Sequence, residues 1–417
     1  MSTVTKPMML DETGHLIVEG IARQNLLLSR MVAQQDAATP IATLQEIHRI
    51  VQSGEAPNVF APGDQIFLNY NDGSEQYVLP WDVVHFDNVE LADGETVPGM
   101  FIQSHYAMEA CQFDGNEAFY VAKDAALPAG TYYVTMGTTW GNNVVAGESF
   151  SFTLSADLPV GGMLMFGLES STTAALPDNV WTKWRVWVFD SQTATQPTEK
   201  LSLTKAAAGT NLGTLSAATK YGAAGLNQLH RSGYGYNRWS QSGMRQRLNS
   251  AAAAGAWWTP QNDFDRAPDQ LATLPGFMAG FDEDFLQIIK PVKVRTALNT
   301  VTDGDIGTYE DTFDTFFPAS LEQEYIVPQL ANVEGTAWEY WKQRLGLPTP
   351  QITGNTGANA AHIRYGYNAR TSAQTCRLRS ASRGNGHLVW YVHTSGYAHY
   401  YGYATAANRC APACVIC

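Results

Sequence analysis

The residues best equipped for chemistry stand toward the end of the chain. Cys410, Cys414 and Cys417 are spaced C-x3-C-x2-C in "CAPACVIC", a spacing that can hold an iron–sulfur cluster, and Cys376 could complete a four-thiolate zinc site. His387, His393 and His399 recur at an even interval, which could place them on one sheet face as metal ligands. The acidic runs "GFDEDF" and "YEDTFDTFF" could line a cation site. Each has a plainer reading. The cysteines lie beside no obvious base, so free or buried thiols are expected. No Asp or Glu accompanies the histidines between 381 and 408. The acidic runs fit a helix N-terminus and a solvated loop. No catalytic residue, metal or cofactor is expected from any of them.

Recognition is the chemistry that the segment from Ser382 to Thr405 suits. It is crowded with Tyr, His, Gly, Ser and Asn. Tyrosine gives a large rigid contact area at low entropic cost, and small polar residues adapt their hydrogen bonds. From 381 to 408 there is no Lys, Glu, Gln or Met, and every residue except Trp390 can be written by a codon of the form NNC. A codon AAC whose adenines are randomised yields this repertoire and never Lys, Glu, Gln, Met or Trp. The segment reads as a product of adenine mutagenesis.

Elements must hold those side chains. "HLVWYVH" and "YAHYYGY" alternate as two strands joined at "TSG", with Gly396 supplying a positive φ. Alternation puts His387, Val389, Tyr391 and His393 on one face with Tyr397, His399, Tyr401 and Tyr403, and turns Leu388, Trp390 and Val392 inward. Upstream, helices are expected over 15–35 and over 39–54, the latter with Thr39 as cap, Pro40 at its first position and Gly54 as its stop. Too short to bury their apolar faces alone, they suggest an oligomerisation or anchoring element. From about 60, period-two segments separated by turn dipeptides predict a β-sandwich: "DQIFLNY", "YVLPWDVVHF", "GMFIQSHYAM", "AFYVAKD", "GTYYVTMG", "ESFSFTLS", "KWRVWVFD" and "EKLSLT". The small-residue stretch 206–225 marks the next boundary. Beyond it, helical pieces are expected at 238–255 (capped by Ser240 or Ser242), in "DEDFLQIIKPVKVRTAL" ahead of a strand, and in "SLEQEYIVPQL", among long loops of the kind that bind.

The fold class read from this is multidomain: N-terminal helices (1–58), an all-β, sandwich-like middle (59–205) and an α+β C-terminal domain (206–417). A 45% apolar composition ensures a core, and a net charge of -13 repels phosphate backbones and anionic lipid, so neither nucleic-acid binding nor membrane insertion is expected. No basic leader precedes a long apolar run, which predicts no Sec signal.

The same residues carry a family resemblance. "RLRSASRGNGHLVWYVHTSG" and "NRCAPACVIC", with "GYGYNRWSQSGMRQRLNS", "AGAWWTPQNDFDR" and "IIKPVKVRTALNTVTDG" upstream, resemble the variable proteins of diversity-generating retroelements in phages and prophages of gut bacteria. The resemblance is specific over about 220–417. It implies a C-type-lectin-like domain whose surface is rewritten when a reverse transcriptase copies a template with adenine errors into the 3′ end of the gene. The varied, ligand-binding positions implied are Ser382, Gly384, Asn385, His387, Leu388, Tyr391, His393, Tyr397, His399, Tyr400, Tyr401, Gly402, Tyr403 and Thr405. Arg383, Val389, Trp390, Val392, Thr394, Ser395 and Gly396 would be the fixed scaffold between them, with Trp257, Trp258, Trp338 and Trp341 securing the fold elsewhere. The implied protein is a phage host-attachment adhesin on the virion, not an enzyme. It would bind a host cell-surface receptor (protein or glycan), contact other virion proteins through its N-terminal helices, and assemble as a homotrimer. The alternatives are a virion structural or decoration protein with a glycan- or mucus-binding face, and an enzyme resembling the formylglycine-generating oxidases. Calcium-dependent sugar binding would need EPN, QPD or WND, and none is present.

Overall fold

The computed structural model describes residues 43–139, 145–168, 184–194, 196–216 and 226–417. The helix expected over 15–35 lies outside them, as do Thr39 and Pro40. The next helix runs over Leu44–Gln52, and its cap is Thr43. Thr43 Oγ1 accepts from the Glu46 amide at 3.2 Å while Thr43 N donates to Glu46 Oε2 at 2.8 Å, a reciprocal box that satisfies two otherwise unpaired amides.

Alternation builds the first sheet. In β1 (Gln65–Asn71), Ile66, Leu68 and Tyr70 are buried and the residues between them face solvent, as one wet face requires. Asp72 Oδ1 accepts from the amides of Ser74 and Glu75 at 2.8 Å, and Gly73 takes a φ of 94°. That turn leads into β2 (Gln76–Glu90), followed antiparallel by β3 (Thr96–Ser104).

The sandwich follows. Strands β4 (Tyr120–Val121), β5 (Gly130–Met136), β6 (Ser149–Leu154), β7 (Met163–Leu168), β8 (Trp184–Phe189), β9 (Glu199–Ser202) and β10 (Thr210–Leu215) form two sheets, ordered β10-β5-β6 and β4-β7-β8-β9. Val134, Phe150 and Leu215 from one meet Phe166, Trp184 and Val186 from the other in a single core. Every expected strand segment from "DQIFLNY" to "EKLSLT" contains or overlaps a strand.

The rest of the chain supplies β11 (Val292–Ala297), β12 (Tyr309–Asp314), β13 (Phe317–Pro318), β14 (Arg364–Gly366), β15 (Ala369–Gln374), β16 (Cys376–Ala381), β17 (Leu388–Val392), β18 (Ala398–Tyr403), β19 (Arg409–Cys410) and β20 (Pro412–Ile416). β20 inserts between β3 and β13, giving the five-stranded order β1-β2-β3-β20-β13. One core, with Trp81, Trp239, Trp257, Trp258, Trp338, Trp341 and Val415, runs from Ile47 to Cys417.

This topology corrects the expected boundaries. Ile47 and Val51 of the helix Leu44–Gln52 pack into that core, and His48 Nε2 lies 2.8 Å from the Cys417 carbonyl, so residues 43–58 are built into the main body. β1–β3 share a sheet with β20, which breaches the division at 205/206, and β10 extends the sandwich past it. Three local expectations also fail. The helix within 238–255 is only Gly243–Leu248, capped by Ser242. Residues 320–330 form turns, with Tyr325 at a φ of 56°. "YEDTFDTFF" is the strand β12 and its continuation, where buried Asp314 accepts from Trp239 Nε1 at 2.8 Å and Arg245 Nε at 2.6 Å. The molecule is mainly β, with short helices; among the described residues no helix is long and apolar enough to cross a membrane.

Candidate functional site

β17 and β18 form the hairpin expected from "HLVWYVH" and "YAHYYGY". Gly396 sits at its turn with a φ of 80°, and a Cβ there would stand 2.1 Å from the Asn359 carbonyl. The hairpin lies in the four-stranded sheet β18-β17-β16-β19.

Alternation describes the hairpin only as far as a bulge. Tyr391 pairs with His399 and Val389 with Gly402, so the register slips between them, and the extra residue on β18 changes which side chains face outward. On the open face, His393 stacks on Tyr397 at 4.6 Å, and His399 on Tyr401 at 4.9 Å. Tyr401 and Tyr403 are 57% and 40% exposed. Tyr391, His393, Tyr397, His399, Asn385 and Thr405 are half-buried, and Gly384 is exposed. Half-buried Tyr400 leans toward the core, its ring 5.6 Å from that of Trp390.

Four of the expected positions are not on this face. Ser382, His387, Leu388 and Gly402 are buried, and so is Val389, which alternation had placed outward. The start of β17 is covered on both sides: Val389 joins the large core, while Trp390 and Val392 pack with Leu321, Ile326 and Leu378. His387 is 4.6 Å ring to ring from His230. Burial, reinforced by His230, lowers its pKa to about 3, so it is neutral at physiological pH.

What holds the segment lies mostly outside it and grips its main chain. Asn237, fully buried, directs Nδ2 at the carbonyls of Asn385 (2.6 Å), Leu388 (2.8 Å) and Ser382 (3.2 Å). Asn299 Nδ2 donates to Asn237 Oδ1 at 2.9 Å, which orients the amide. At the other end, buried Arg377 donates to the carbonyls of Gly402 and Tyr403 at 3.0 Å and Ala406 at 2.8 Å. Burial lowers the Arg377 pKa to about 10, which leaves it charged at neutral pH. Thr300 Oγ1 donates to the Arg383 carbonyl at 2.9 Å, and Gln351 Nε2 to that of Gly396 at 3.0 Å. Backbone acceptors are the same whatever side chain they carry, so this grip is indifferent to side-chain identity.

A family model, the domain of unknown function DUF6273, matches residues 214–417. No curated protein and no solved structure matches the chain. The DUF6273 match takes in Asn237, Arg377 and the whole hairpin, while β1–β3, of which β3 pairs with its β20, lie outside it. Sequence reasoning gave Asn237 and Arg377 no role. They stand within "GYGYNRWSQSG" and "RLRSASRG", but nothing local tells a buried clamp from a surface polar residue.

Gly402 and Gly384 make a direct test of the geometry. At Gly402 a Cβ would lie 2.4 Å from Arg377 Nη1 and 2.8 Å from the Val389 carbonyl, whereas at Gly384 nothing lies within 4 Å. Gly402→Ala is expected to cost about 2 kcal/mol and Gly384→Ala nearly nothing in urea unfolding; equal costs would contradict the described packing.

All five cysteines are free and buried. Burial pushes Cys111 up to about 11 and Cys376 to about 12, and raises Cys410, Cys414 and Cys417 as well. Beside the hairpin's base lies a second charged group that the sequence did not reveal. Asp114, Glu117 and Asp265 are buried with oxygens within 4.8 Å of one another, and Arg231 Nε donates to Glu117 Oε2 at 2.6 Å. Asn227 and Asn262 complete the bonds to Glu117. Burial, then the Glu117 charge, raises the Asp265 pKa to about 7. Because that folded value lies above the unfolded one, the contribution of Asp265 to stability is full below about pH 4 and is lost as pH rises to about 7. Asp265→Asn should flatten the stability profile over this window; an unchanged slope in urea melts would contradict it.

Proposed function

We propose that this chain is a phage-encoded ligand-binding protein, a host-attachment adhesin whose hairpin face is rewritten by retroelement adenine mutagenesis and displayed on a C-type-lectin-like C-terminal domain. The observation that carries the reading is the main-chain grip. Asn237 and Arg377 hold the segment by five of its carbonyls and by that of Ala406 just beyond it. Side chains on the open face can therefore change without changing what holds them.

The face suits recognition. Its tyrosines and histidines stack along the strands, and it carries no carboxylate between 381 and 408. Rigid aromatic anchors with small polar neighbours form adaptable contacts. A homotrimer on a virion would multiply weak single contacts into avidity. The oxidase-like alternative needs a reactive thiolate, and burial holds these thiols in the neutral form.

Replacing Tyr391, Tyr397 and Tyr401 together by Ala tests the proposal. Attachment to the host bacterium is expected to fall by about tenfold or more, while the melting temperature changes little. Attachment that persists with the fold intact would place the site elsewhere.

A further inference from the structure

Tyr234 ends the short helix Leu229–Tyr234, outside the segment 382–405. Its ring nonetheless lies parallel to that of Tyr403, with centroids 4.1 Å apart and planes 12° apart. His387 stacks beside both, at 5.4 Å from Tyr234 and 6.1 Å from Tyr403. Three features fix Tyr234 without help from the side chain at 403. The ring packs against the sandwich core. Its carbonyl accepts from the Thr405 amide at 3.1 Å. The next residue, Gly235, takes a φ of 78° and runs so close to the hairpin's end that a Cβ would stand 3.1 Å from Ala404 Cβ and 2.7 Å from the Gly115 carbonyl.

We propose that Tyr234 is a permanent aromatic floor of the binding face, covered or uncovered by whichever side chain stands at 403. The inference rests on the hairpin being that face. A tyrosine at 403 covers the floor and is oriented by it. A Ser, Gly or Asn at 403, each within the NNC repertoire, leaves the Tyr234 ring open to a planar aromatic group of the partner. Ring-on-ring packing needs no charge. Every variant would thus share one stacking position, however the rest of the face is written.

Anilinonaphthalene sulfonate, a dye with a planar naphthalene ring, serves as the probe. It is titrated by fluorescence into the full chain, the Tyr403→Ser variant, the Tyr403→Ser/Tyr234→Ala double variant and a same-strand control, Tyr401→Ser. Tyr403→Ser is expected to bind the dye about fivefold more tightly than the unaltered chain, with the double variant and the control back at its level. Unchanged binding in Tyr403→Ser overturns the inference, and so does a gain that survives loss of Tyr234, which is also what a loosened fold would give. The dye reports on Tyr234 whether or not position 403 varies in nature, so failure here and failure of the diversification reading are separate results.

Discussion

Asn237→Ala is expected to destabilise the protein by about 3 kcal/mol, since it leaves buried carbonyls without their donor. The side chain is fully buried and serves Ser382, Asn385 and Leu388 at once. Its amide is also the partner of Asn299, so the loss would spread beyond the segment. In contrast, the triple change of Tyr391, Tyr397 and Tyr401 to Ala should cost less than about 1 kcal/mol, because these rings lie on the open face. Urea unfolding midpoints compare the two. Equal losses would mean that side chains of the segment, rather than its main chain, keep it in place.

Arg231→Met should have the larger effect, about 4 kcal/mol, because it strands buried negative charge. Arg231 and Glu117 are almost wholly inaccessible to solvent, and Asp114 and Asp265 lie beside them. Burial and mutual repulsion already raise the pKa values of Asp114 and Asp265. Removing the guanidinium leaves only protonation to relieve the crowding, so the variant should recover part of its loss at low pH. The same urea experiment at neutral and acidic pH checks this. A loss below about 1 kcal/mol would show that the pair is a surface-like contact rather than the core of this network.

Most of the strands between 65 and 202 were legible because alternation is written residue by residue; β7 and β10 were not among those expected. Ile66, Leu68 and Tyr70 point inward and their neighbours outward, and no distant partner is needed to see it. The domain boundary was not legible. β20 pairs with β3, Ala413 opposite Gln103, and long-range pairing leaves no local mark. At 320–330 the spacing of Leu321 and Tyr325 imitates a helix, but Leu321 joins Ile326 in the small core beneath Trp390 while Tyr325 turns the chain at a positive φ. In the hairpin, alternation found the open face at Tyr391, Tyr397, His399, Tyr401 and Tyr403. It misplaced His387 and Val389 because neither the bulge nor a second covering layer can be seen in a single strand's pattern.

The packing limits which positions the proposed diversification could reach. A varied codon at Gly402 would drive a side chain into Arg377, and Ser382, Leu388 and His387 have little room to change. Gly384, Asn385, Tyr391, His393, Tyr397, His399, Tyr400, Tyr401, Tyr403 and Thr405 remain as positions with solvent on at least one side.

Sequencing the codons for residues 382–417 across a population of the organism or virus that carries the gene tests the central claim most directly. Substitutions should concentrate at those accessible codons within 382–405, while Trp390, Gly396, Gly402 and "RCAPACVIC" stay constant. A segment as invariant as the rest of the gene would contradict the account and leave the tyrosine and histidine cluster as a fixed site for one dedicated ligand.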